Sequence, residues 1–149
     1  MGNAIEFMGS VSKIVLHCSD SPNDRDIGRA EIDEWHKERG WKEVGYHWIV
    51  RIDGRLEKGR DESRPGAHVQ GHNANTIGVV LVGRDSFPAY QMVPALVLVA
   101  SLVVRHNLKA TDVVGHRELA PLSGKTCPNT DMNHFREHLK TYLTKEYHE

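Results

Sequence analysis

Lys13-Ile14-Val15-Leu16-His17 is a short run rich in β-branched residues and predicts a buried strand that ends at His17. Ser19 to Asp24 is polar, contains Pro22, and reads as a loop. A helix follows over about 27–39, with Ile32, Trp35 and Arg39 along one face and Gly40 as its stop. From Tyr46 to Ile52 the chain alternates. Tyr46, Trp48, Val50 and Ile52 take one face; His47, Ile49 and Arg51 take the other. Asp53-Gly54 supplies a tight turn and Arg55 to Lys58 returns, which makes a hairpin. Residues 60–75 are polar and glycine-containing, a long loop of the kind that carries function. Thr76 to Val82 is continuously apolar and stops at Gly83, the pattern of a central strand covered on both faces.

A second helix is expected over about 89–106, with a local kink or a late start at Pro94. Asp112 to Gly115 predicts a short strand leading into His116. The last helix starts near Asp131, a good N-cap, and buries Phe135, Leu139, Tyr142 and Leu143. This order of elements predicts one α/β domain over residues 1–149, a mixed central β-sheet with packed helices. Its motif-bearing core runs from about 13 to 143.

A chain of 149 residues suits a single hydrophobic core. Lys plus Arg is 19 and Asp plus Glu is 20, so the basic surplus of a general nucleic-acid binder is missing. The longest apolar stretch, residues 92–104, contains Pro94 and Ser101 and is too short to span a bilayer. Met1 to Glu6 shows neither a basic segment followed by an apolar one nor an acylation pattern. The expectation is synthesis in a cytoplasm without a signal peptide, no membrane insertion and a monomer. Two cysteines, Cys18 and Cys127, are too few for a secreted disulfide scaffold.

The candidate chemistry lies in His17, His116 and Cys127. A single histidine at a strand end is more often structural than a ligand. What raises the odds is that all three stand at strand ends or in adjoining loops, which can converge at one edge of a sheet. Two imidazoles and a thiolate are three of the four ligands that zinc takes, and a fourth position left to water marks a catalytic site. Such a centre activates water and polarises a carbonyl. Lys125 stands two residues before Cys127, so on an extended stretch both face one side. It could then stabilise an oxyanion. Tyr46 could offer a phenol. The plainer readings are a solvated loop lysine and a half-buried strand aromatic.

Leu16-His17-Cys18-Ser19, Trp35-His36-Lys37, Arg39-Gly40-Trp41, Gly45-Tyr46-His47-Trp48, Gly66-Ala67-His68, Asn75-Thr76-Ile77-Gly78-Val79, Gly115-His116-Arg117-Glu118 and Lys125-Thr126-Cys127-Pro128 occur in this order. Together they resemble the zinc-dependent N-acetylmuramoyl-L-alanine amidases of the type 2 family, which includes phage endolysins and peptidoglycan recognition proteins. The resemblance spans about His17 to Phe135. It implies hydrolysis of the amide between the lactyl group of N-acetylmuramic acid and L-alanine, with peptidoglycan or a muropeptide as substrate. It also implies one zinc ion on His17, His116 and Cys127. Tyr46 and Lys125 match catalytic positions, and His68, with His47 and Asn73, the substrate groove. Cys18 would sit beside the site without binding metal. Some relatives carry Asp at the position of Cys127, and the thiolate points to the endolysin-like branch. Tyr46 and Glu118 both stand as candidates for the base. A phage or prophage endolysin, acting at the wall once the membrane is permeabilised, is the leading reading. A cytosolic amidase recycling muropeptides and a non-catalytic binding module are the alternatives. Binding modules typically lose a ligand, and here all three are present.

Overall fold

The computed structural model describes residues 8–41 and 43–147, so the reading of Met1 to Glu6 lies outside the described residues. Five strands form one mixed sheet in the order β3-β2-β4-β1-β5. They are β1 (Lys13–Cys18), β2 (Trp48–Val50), β3 (Leu56–Lys58), β4 (Thr76–Leu81) and β5 (Val113–Gly115). β2, β4, β1 and β5 run parallel, and only the edge strand β3 is antiparallel, paired to β2. The Asp53-Gly54 turn closes that hairpin, with Gly54 at φ +91°, where a side chain is strained.

Alternation along the strands sorts side chains between two layers. Ile14 and Leu16 of β1, Val50 of β2 and Ile77, Val79 and Leu81 of β4 face one layer. There they meet α2 (Ala89–Arg105) and α4 (Met132–Tyr147). Ile49 and Val80 face the other, with Ile27 and Ile32 from the α1 side (α1, Arg29–Glu38). Every residue of β4 is buried, as a strand covered on both faces must be. His17 falls on the α1 side because it follows Leu16 by one residue. The odd-numbered register therefore leaves an imidazole where an aliphatic residue would otherwise sit.

Four local expectations change. The buried face of α1 carries Ile32 and His36, one turn apart, while Arg39 is exposed just beyond the helix. Gly40 does terminate it, at φ +87°. The regular part of β2 covers only residues 48–50, so Tyr46 and Ile52 fall into the α1 layer with Ile49, away from Trp48 and Val50. α2 begins at Ala89 with no late start, and Pro94 lies inside it. Proline removes the donor that the Tyr90 carbonyl would take, and that carbonyl stands against Gly54, where an added Cβ would collide with it. Finally, α3 (His116–Leu119) and a 3-10 turn over Ala110–Asp112 stand where no helix was expected. The start of α4 follows expectation: Asp131 Oδ1 accepts the His134 amide at 3.1 Å. No helix among the described residues is long and apolar enough to cross a membrane.

Candidate metal centre and groove

β1 and β5 are parallel neighbours with Leu16 opposite Gly115. Their carboxyl ends therefore deliver His17 and His116 side by side, with ring centroids 4.7 Å apart. Open parallel sheets place their ligand sites at this edge. Cys127 arrives from the loop after α3. The Arg117 amide donates to its carbonyl at 2.9 Å, and its sulfur accepts the Cys18 amide at 2.9 Å. One donor atom each from His17, His116 and Cys127 lie within 4.8 Å of one another. Two borderline nitrogens, one soft sulfur and no fourth protein ligand in that group fit a zinc ion with an open position.

The two imidazoles are held in their ligating form. Burial lowers the pKa of His17 well below its ordinary value, and His68, His116 and Lys125 push it the same way. Burial and then Lys125 lower His116. Both rings are thus neutral and keep a lone pair, the form in which imidazole binds metal. The neighbouring Cys18 thiol, then burial, push the Cys127 thiol up.

The triad lies where two cavities meet. One is a groove of about 590 Å³, the other a recess of about 360 Å³, and they share Arg39, Tyr46, His116 and Lys125. Tyr46 packs against His17 at 5.1 Å between ring centroids, and burial raises its phenol, which stays protonated. Lys125 lines both cavities. His68 and Asn73 line the groove. Asn73 Oδ1 accepts the amides of His68 and Val69 at 2.8 and 2.9 Å, so this side chain also shapes the loop.

His47 does not reach the groove. It is 0% exposed, accepts the Gly78 amide on Nδ1 at 3.0 Å, and donates from Nε2 to the Arg64 carbonyl at 2.8 Å. With both nitrogens spent, it ties the loop to β4. Glu118 is also structural. It accepts the Gly115 amide at 2.8 Å and two bonds from Arg136 at 2.8 and 3.0 Å. That guanidinium holds its carboxyl below the usual range, so Glu118 is a poor base.

Sequence reasoning passed over Arg39 and His36 as groove residues. His36 takes the Gly45 amide on Nδ1 at 2.7 Å, and burial lowers its pKa to about 4. The i, i+4 spacing from Ile32 was the available signal for its burial. It also passed over Gly78, a glycine inside an apolar strand, which marks a close approach. That approach is the His68 ring: an added Cβ would lie 2.7 Å from its Cγ.

The N-acetylmuramoyl-L-alanine amidase family pattern matches residues 8–130, and the chain belongs to this family of amidases. It is 40% identical over 132 residues to an endolysin of Klebsiella phage KP32, covering 85% of each chain. It is also 40% identical over 134 residues to an endolysin of Escherichia phage T7, covering 86% of this chain and 87% of that one. Among solved structures, the N-acetylmuramoyl-L-alanine amidase LysC from Clostridium intestinale URNW superimposes with a TM-score of 0.75. The identity is 30%, over 91% of this chain and 86% of that chain.

Proposed function

We propose that this chain is a zinc-dependent endolysin of a phage or prophage. It cuts the amide that joins the lactyl group of N-acetylmuramic acid to L-alanine in peptidoglycan. The carrying observation is the triad of His17, His116 and Cys127 within 4.8 Å, opening onto a groove shared with Tyr46 and Lys125, in a chain of this family. Zinc bound there would supply Lewis acidity and a water of lowered pKa. The side chains do the rest. Tyr46, protonated and beside His17, donates a hydrogen bond to the attacking water or the reacting oxygen. Lys125 offers a positive charge to the oxyanion as the carbonyl becomes tetrahedral. The groove aligns the stem peptide, with His36 and Asn73 on its wall. The endolysin role, exercised at the wall after the membrane is permeabilised, is supported by the phage relatives.

Purified protein incubated with sacculi and with soluble anhydro-muropeptides tests this reading. The expected products are new α-amino groups of L-alanine without new reducing ends, and a faster rate on sacculi. Loss with a chelator and return with zinc complete the expectation. New reducing ends, or lysis indifferent to both chelator and Cys127→Ala, would sink the reading. Preference for the soluble fragment would move the role to muropeptide recycling.

A further inference from the structure

We propose that His68 and Thr76 are positioning residues that fix the tautomer of His17, so that its Nδ1 lone pair is the one presented to the metal. This rests on the zinc reading above. The relay starts at a main-chain carbonyl, which can only accept. Thr76 Oγ1 lies 2.6 Å from the His72 carbonyl oxygen and spends its single proton there. A second contact, 3.4 Å to the Asn73 carbonyl, is to another pure acceptor and cannot reverse this direction. The hydroxyl oxygen must therefore accept from His68 Nε2, 3.1 Å away. A neutral imidazole has one N–H. With that proton on Nε2, His68 Nδ1 is a bare acceptor, and it stands 2.9 Å from His17 Nε2. His17 must donate across that contact, which leaves Nδ1 as its free lone pair.

The relay is held in place by packing. An added Cβ on Gly66 would lie 2.6 Å from His68 Cδ2, and one on Gly78 2.7 Å from His68 Cγ, so the ring fits a seat made by two glycines. Both of its nitrogens are occupied, which leaves no polar ring atom for a substrate although the residue borders the groove. Partners of this kind orient ligating histidines, and their loss typically weakens metal binding about 10–100-fold.

His68→Leu removes the acceptor. Because that ring is tightly seated, Thr76→Val, nearly isosteric and outside contact with His17, is the cleaner variant. Long-range nitrogen–proton NMR of metal-free wild-type protein should show both rings protonated at Nε2. In Thr76→Val the spectrum should show a mixture at His17. Chelator competition should show zinc affinity down about tenfold, with recovery in Thr76→Ser. A structural role alone would leave the tautomer unchanged. His17 protonated at Nδ1 in the wild type, or zinc affinity in both His68→Leu and Thr76→Val within about twofold of wild type, overturns the relay while the zinc reading stands. A wild-type protein that takes up no zinc overturns both.

Discussion

At the scale of single residues, His47, His68 and Tyr46 have different roles because their polar atoms are differently spent. His47 has no free nitrogen and is fully buried, so substitution there should act on stability. In the proposed relay, His68 passes direction to His17. Tyr46 alone brings a donor to the cavity wall beside the ligands. Loss of one donor aimed at developing charge typically costs about 10²–10³ in kcat. Tyr46→Phe keeps the ring that packs against His17 and His36 and removes only that donor. We expect kcat on a soluble muropeptide to fall by about that factor. Zinc content should stay at the wild-type level, because Tyr46 lies outside the triad. Lys125→Ala should behave in the same sense. Full activity in Tyr46→Phe would return the phenol to a packing role.

At the scale of elements, the groove wall is a loop of residues 60–75 that must be held without regular structure of its own. Glu62 is its clamp. It accepts Trp48 Nε1 of β2 at 2.7 Å, Arg105 of α2 at 3.0 Å and His106 at 3.3 Å. Burial alone would raise the Glu62 carboxyl, but the bonds from Trp48 and His106 and the Arg105 charge outweigh it, and the net shift is downward. A carboxyl depressed by folding contributes stability above its unfolded pKa and loses it as pH falls through its folded value. Glu62→Gln should therefore cost about 1 kcal/mol near neutral pH, discounted because the Arg105 partner is half exposed. The gap from wild type should close as pH drops below the usual carboxylate range. Urea midpoints over that range test it, and a gap independent of pH would contradict the assignment. The elements themselves were unevenly legible. The Asp53-Gly54 hairpin and the Gly40 stop announce themselves through local backbone chemistry. The four-residue α3 does not. It is held by Glu118, which reaches its own N-terminus and Arg136 of α4, and no local periodicity encodes a contact with a distant helix.

At the scale of the whole molecule, the sequence displayed the ligand types and the structure supplied their convergence. Cys18 and Cys127 are 109 residues apart, yet an amide of one meets the sulfur of the other. That separation has a thermodynamic consequence. A metal held by β1, the start of α3 and the loop after it joins three segments that the unfolded chain keeps apart, so it binds the folded state preferentially. Free zinc at 100 times its dissociation constant then adds about 2.7 kcal/mol. At about 2–4 °C per kcal/mol for a domain of this size, chelation should lower the melting midpoint by about 5–10 °C. Cys127→Ser should remove most of that increment, whereas Tyr46→Phe should keep it. Hydrogen exchange should locate the loss in the loop carrying Cys127, whose carbonyl accepts the Arg117 amide and whose sulfur accepts the Cys18 amide. Calorimetry with and without chelator decides the matter. A midpoint unmoved by chelator, in protein shown to carry zinc, would mean that the unfolded chain holds the ion as well as the folded one.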